Sequence, residues 1–429
     1  MFLMNVGWKW SIVPERGPHG VIFNASGVDL ESALRRERPS GLPDEVYFDP
    51  QLYLLSLPYD TAPRTCRKLA TYPWFPIETP DFDSGEVSIR DWIENVGEAI
   101  SERWPPVLPS DSDTINNVIR QSIDFQQQFG VSEIILPSPL TNFPESDLSV
   151  EMTWVDEGIR VASTIDKPFL VTFAISDACL LHVDPSDNQL LQLAIDQFTA
   201  REEIPGVYLV IEHSRGESNR IVHARVAWAL LEFCYYVGKS AGKKVLVNYT
   251  DTFGLACLAA GAKGFASGLS TKSKRLHFED FVERGGGGAF PKFYAHSTIC
   301  DYLPERDLER LRDLHLLRLI QNDRTPASSS LFDVLTSEGS VGSIPEWRES
   351  KNNLSGSRDH FIQRVRTAVD EINGKSENEK REIILAWLQD AERTVNYLNE
   401  RFSDEALYDD GRHVRAWRSA FESFLNQHP

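Results

Sequence analysis

Leu255-Ala-Cys-Leu-Ala-Ala-Gly-Ala-Lys-Gly-Phe-Ala-Ser-Gly268 reads as a helix of small apolar residues, a glycine-marked turn and a short strand at 264–267. Outward from it in both directions, the same alternation of short apolar strand and helical run recurs. Strands are expected at 20–24, 46–49, 132–136, 168–175, 207–212, 244–249, 264–267 and 292–296. Most are continuously apolar, the pattern of parallel strands buried on both faces. Between them, Leu191, Ala194, Ile195 and Phe198 share one helical face, and Ile221, Ala224, Trp228, Leu231 and Tyr235 recur at helical spacing. A helix is expected to stop at Gly130 after Phe129. Another opens at Pro304, with Glu305 and Asp307 suited to its positive end.

Eight strands each followed by a helix is the number that closes a (β/α)8 barrel. An open doubly wound sheet is the competing arrangement, since strand order is not written in one sequence. The 255–268 passage resembles the helix, Ala-Gly-Ala-x-Gly, strand and small-residue succession near the seventh strand of many (β/α)8 enzymes. That resemblance implies the barrel and no particular reaction. The expected fold class is therefore α/β, with a (β/α)8 barrel over 1–322, a linker over 323–357 and a C-terminal helical bundle over 358–429.

Two connections exceed ordinary barrel loops. Residues 57–113 carry Tyr72-Pro-Trp-Phe-Pro76 and Trp104-Pro-Pro106, and read either as a cover for the catalytic face or as a surface-packed excursion. Residues 268–291 carry Lys272, Lys274, Arg275 and the run Gly285–Gly288, which lacks dinucleotide-fingerprint spacing and reads as a hinge or lid. The Ser/Gly-rich 325–357 stretch reads as a linker with little fixed structure. Beyond it, three apolar stripes follow: Phe361, Val365, Ala368 and Ile372; then Ile384, Leu388, Ala391, Val395, Leu398 and Phe402; then Val414, Trp417, Phe421 and Phe424. Ser376 and Glu379 fit a capping box for the second. A bundle packed on the barrel is expected, with a coiled-coil partner interface as the alternative.

Composition excludes several classes. With 41% apolar and 25% charged residues, the chain is ordinary globular protein. Its five cysteines form no Cys-x-x-Cys pair, so neither a disulfide framework nor a structural zinc site is expected, and a cytoplasmic location follows. The opening MFLMNVGWKWSIVPERG shows no secretory-leader pattern, and no stretch approaches the roughly 20 apolar residues that span a bilayer. A net charge of −19 disfavours broad nonspecific attraction to nucleic acid or anionic membrane.

Barrel enzymes gather function at the C-terminal strand ends. Those positions hold Asn24, Asp49, Ser138, Ser176, Asp177, Glu212, His213, Arg215, Asn248, Asp251, Ser267 and His296. Glu212 ends an apolar strand and opens Glu-His-Ser-Arg, which offers an acid or base, an imidazole and an anion-binding guanidinium. An ion pair with Arg215 is its structural alternative. Asp49 reads as a catalytic carboxylate or a turn residue before Pro50, Asp251 as a carboxylate partner or helix cap, and His296 as a catalytic or a core histidine. Lys272, Lys274 and Arg275, with Ser267, suit a phosphate or a solvated basic loop. No His-x-His or His-Glu-x-x-His spacing exists, so no metal ligand set is expected, and no cofactor is designated.

Carboxylates on several strand ends, Asp49, Glu212 and Asp251, suit attack at a glycosidic C–O or C–N bond of a small or nucleotide-like, phosphorylated ligand. In this the chain is similar to the nucleobase-exchanging tRNA-guanine transglycosylase barrels, but their Cys-x-Cys-x-x-Cys…His zinc motif and their aspartate nucleophile motif are absent. The alternative from another class is a non-catalytic scaffold whose helical tail, 358–429, binds a protein partner.

Overall fold

The computed structural model describes residues 1–7, 17–28, 30, 41–77, 91, 94, 97–181, 189–214, 220–283 and 289–429. Its parallel sheet comprises β1 (Phe2–Val6), β2 (Gly20–Asn24), β3 (Glu45–Asp49), β4 (Ile134–Ile135), β5 (Leu140–Thr141), β6 (Phe169–Ser176), β7 (Gly206–Glu212), β8 (Lys244–Asn248) and β9 (Gly264–Ser267). The order is β3-β2-β1-β9-β8-β7-β6-β4, and β5 also pairs with β6. Because β4 meets β6 at Phe169–Leu170 and β5 meets it at Ala174–Ile175, the segments fill eight strand positions. The first strand lies between the second and the last, which curls the sheet into a half-barrel. Its edges approach each other where Ser132 N–H donates to Val46 O at 2.7 Å and Val46 N–H donates to Ser132 Oγ at 2.9 Å.

One expected strand is misplaced. Residues 292–296 contribute β10 (Phe293–Ala295), which pairs antiparallel with β11 (Cys300–Tyr302) outside the main sheet. The eighth position belongs to β1, whose five residues are all buried. A short apolar run carries the same signature whichever neighbour it pairs with, so only tertiary contact separates the two.

The helical layer begins with α1 (Ser112–Phe129), α2 (Ser149–Ala162), α3 (Gln189–Ala200), α4 (Ala224–Phe233) and α5 (Gly254–Ala260). Asp111 caps α1 by accepting from Thr114 N–H at 2.9 Å, and Gly130 ends it with φ 76°. Gly254 lets α5 lie directly on β9: a Cβ there would sit 2.0 Å from Phe265 Cγ. Gly254→Ala is therefore expected to cost about 1–3 kcal/mol through overpacking, read as a lower urea midpoint.

Within the 57–113 insertion, the described aromatics belong to the core. Tyr72 stacks on Trp74 at 4.5 Å, and both rings meet Phe48 and Phe125. Residues 78–90 and the run Gly285–Gly288 lie outside the described residues.

The 325–357 stretch, expected to have little fixed structure, contains α6 (Ser329–Thr336), with Leu331, Phe332 and Leu335 buried, and a fully buried Trp347. Serine and glycine here form caps and turns: Thr325 and Ser328 make a capping box. After it come α7 (Ser355–Ile372), α8 (Glu377–Arg401) and α9 (Arg412–Gln427). Helix α9 packs on α4, and α8 packs on α5 and α9. Helix α7 brings Phe361 to within 6.2 Å of Phe2 on β1. The tail thus packs on α4, α5 and β1 and uses its apolar stripes within this chain. Among the described residues, no helix is long and apolar enough to cross a membrane.

Candidate functional site

Pairing register decides which polar residues share a face. Paired positions in a parallel ladder point the same way, and alternate residues point oppositely. Asn24 pairs with Asp49, Asn248 with Val210, and Ser176 with Glu212. Following the register round the sheet puts Asn5, Asn24, Asp49, Ser176, Glu212 and Asn248 on one face at the C-terminal end. That face is the concave one, because Tyr208 on β7 reaches across to Asp49 on β3, its hydroxyl donating to Oδ2 at 2.8 Å. Ser267 pairs with Met4 and lies on the opposite, helix-facing side.

Glu212 is 6% exposed and accepts from Ser176 Oγ at 2.6 Å. Burial lifts its carboxyl to about 7; the Ser176 hydrogen bond and His277 oppose the rise, and Asp177 adds to it. Next to it, Asp177 lies 3.5 Å from His213 Nδ1 and accepts from Ser214 N–H at 2.8 Å. Burial alone would raise the Asp177 carboxyl, but the His213 and Ser214 hydrogen bonds outweigh it and hold it below the usual range. His213 Nε2 is buried and has no hydrogen-bond partner among the described residues. Arg215 lies outside the described residues.

Asp49 is 1% exposed, and burial pushes its carboxyl up to about 6. It accepts from Gln51 N–H at 3.0 Å, Tyr53 O–H at 2.5 Å and Tyr208 O–H at 2.8 Å. Three donors fix it as the anchor of a network in which Asn248 Nδ2 donates to Tyr208 Oη and Asn5 Nδ2 donates to Asn248 Oδ1 at 2.7 Å. Gln51, Tyr249 and Asp251 hold left-handed backbones at φ 52°, 60° and 48°, an unusual concentration for residues with a Cβ.

Asp251 stands in a separate, buried ion cluster beside the mouth. Arg220 reaches Asp251 at 3.2 Å, Asp301 at 3.1 Å and Asp409 at 3.5 Å, and Lys274 reaches Asp301 at 2.7 Å. Asp251 is thus an ion-pair partner, and among the described residues neither of its carboxylate oxygens accepts a hydrogen bond that would cap the turn it opens. Lys274 is committed to this cluster and Arg275 to Asp280, 3.1 Å away, so of the three cations expected to hold phosphate only Lys272 faces the mouth. His296 is placed elsewhere: its ring stacks on Trp387 of α8 at 4.7 Å, and burial keeps its pKa well below the ordinary value. It packs between the β10–β11 hairpin and the tail, away from Asp49 and Glu212.

A pocket of about 210 Å³ opens at the ends of β1, β2, β3 and β8, with Asn5, Asn24, Gln51, Tyr249 and Lys272 in its wall. A larger cavity of about 710 Å³, lined by Glu45, Lys244 and Lys263, lies at the N-terminal strand ends, remote from these carboxylates. Sequence reasoning missed Tyr208 and Asn5. Counting back by twos from Glu212 finds Tyr208 on the same face, whereas Asn5 was lost together with β1. Among the described residues, no group of three His, Cys, Asp or Glu side chains is arranged to hold a metal ion. No protein-family model matches the chain, and no curated protein sequence matches it.

Proposed function

We propose that the curled sheet closes into a complete (β/α)8 barrel, and that the chain is an enzyme using Glu212 as a general acid–base group. The observation that carries this is the Glu212 carboxyl itself, buried on the concave C-terminal face and lifted to about 7. A group half-protonated at neutral pH both donates and accepts protons during turnover. Asp177 orients His213 beside it as a second proton carrier. The reaction class that suits this set is cleavage or exchange at a glycosidic C–O or C–N bond, with Glu212 protonating the leaving group. The substrate is a small or nucleotide-like molecule whose phosphate engages Lys272. In this reading Asp49 and Asp251 shape the mouth rather than attack the substrate, since each is already engaged by donors or cations.

The scaffold alternative needs a free apolar face on residues 358–429, and the stripes of α7, α8 and α9 are buried against this chain. The test is a panel of nucleosides, nucleotides and aryl glycosides assayed between about pH 5 and 9. Turnover that follows one ionisation near 7 and disappears in Glu212→Gln supports the reading; turnover equal in both proteins sinks it.

A further inference from the structure

We propose that the pocket of about 210 Å³ is a binding site for a small polyhydroxylated anion of the sugar-phosphate class. Ligand hydroxyls donate to Asn5 Oδ1 and Asn24 Oδ1, and the anionic group rests on Lys272. The inference depends on the reading of this face as the functional one, but its test needs no turnover.

Two unsatisfied acceptors define the ligand. Asn5 and Asn24 are 5% and 9% exposed, both line the pocket, and the Oδ1 atom of each is buried without a donor among the described residues. Each such acceptor is left desolvated and unpaired, a cost that a ligand donor removes.

The orientation of Asn5 is fixed by its neighbours. Its Nδ2 donates to Ser273 O at 3.0 Å, a carbonyl that can only accept, and to Asn248 Oδ1 at 2.7 Å. That oxygen is pinned in turn by Tyr249 N–H at 2.6 Å. Asn248 Nδ2 donates to Tyr208 Oη, whose proton goes to the Asp49 carboxylate. The chain of bonds runs one way, from Asn5 to a carboxylate that only accepts. Turning the Asn5 amide over would set its oxygen against two other oxygens. Its carbonyl therefore remains available for a ligand, and Asp49 is the positioning residue that keeps it so.

The rest of the wall fits the same class. Ser26, Ser270 and Ser273 add hydroxyls and Phe281 an apolar surface. The Lys272 ammonium lies 4.9 Å over the Phe281 ring, at the exposed rim. At about 30 Å³ per water the space equals about seven waters, below the roughly 300–1,000 Å³ that encloses a drug-sized ligand. A single sugar-sized group is accommodated, with the remainder of a larger substrate outside.

Calorimetric titration of the full chain with ribose 5-phosphate, ribose and inorganic phosphate tests this. Ribose 5-phosphate should bind saturably and more tightly than either of its parts. Asn24→Ala should weaken it about 3–10-fold, and Lys272→Ala about tenfold or more while leaving ribose unaffected. Glu212→Gln should bind as the unaltered chain does, so failure of the catalytic reading is separable from failure of this one. No saturable heat at about 10 mM ribose 5-phosphate overturns the proposal. So does inorganic phosphate binding equally well, or binding indifferent to both pocket variants. Should Asn24→Ala melt early, Lys272→Ala, on an exposed side chain, carries the test.

Discussion

Glu212→Gln is expected to abolish turnover by about 10²–10⁴-fold, the usual worth of a positioned acid–base group, while making the protein more stable at alkaline pH. The sign follows from the direction of the shift. The folded carboxyl titrates at about 7, above its ordinary value of 4.5, so the fold prefers the protonated form. Its stability contribution is fully present below pH 4.5 and is lost as pH rises through about 7. Glutamine keeps the shape and an acceptor for Ser176 Oγ but carries no charge to desolvate. At about 1.4 kcal/mol per unit, the substitution should gain about 2–3 kcal/mol at pH 8 and nothing near pH 4. Urea melts of both proteins at the two pH values read this directly. Equal stability at pH 8 would mean that Glu212 is solvated and unsuited to the role assigned to it. A gain in stability with a loss of turnover is the pattern of a site that stores destabilisation for function.

Arg220→Met should have the largest structural effect. Arg220 is 4% exposed and faces Asp251, Asp301 and Asp409, with Lys274 as the other cation of the group. Removing the guanidinium leaves two buried carboxylates, Asp251 and Asp301, sharing the Lys274 ammonium beside a half-buried Asp409, and breaking a buried pair from one side costs about 3–5 kcal/mol. Against a total stability of about 5–15 kcal/mol, that is a large fraction. Because Asp251 follows β8, Asp301 lies in β11 and Asp409 precedes α9, the loss should loosen the tail from the mouth and not only lower the melting point. Hydrogen exchange across 401–427 and a urea melt check both; a cost under about 1 kcal/mol would show the cluster to be solvated. The cluster also sets acid sensitivity. Burial alone would raise the Asp301 carboxyl, but Lys274 and Arg220 hold it far below its ordinary value of 3.8. Its contribution is present above that value and lost as pH falls below it.

The same cluster changes how tail truncation is interpreted. Cutting after Ile320 would uncover Phe2 on β1 and remove Asp409 from Arg220. Such a truncation reports on folding, and the choice between enzyme and scaffold falls to point variants at the mouth.

The amino-acid sequence by itself determined the α/β class, the mostly apolar strands β2 to β4 and β6 to β9, the stop at Gly130, the Ser376–Glu379 cap and the Glu212 position. These are local matters: runs buried on both faces, left-handed stops and reciprocal caps are written within a few residues. Tertiary structure alone decided that Phe2–Val6 is the eighth strand and 293–295 is not, because pairing depends on which distant edge is open. It also divided the nominated residues. Register brought Asn5, Asn24, Asp49, Asn248 and Glu212 to one concave face, turned Ser267 to the helices, tied Lys274, Arg275 and Asp251 into ion pairs, and set His296 on Trp387. A side chain's partners and its desolvation depend on distant residues, such as Ser176 for Glu212 and Tyr208 for Asp49. No local pattern encodes whether a carboxylate ends as an anchor, like Asp49, or as a group lifted to about 7, like Glu212.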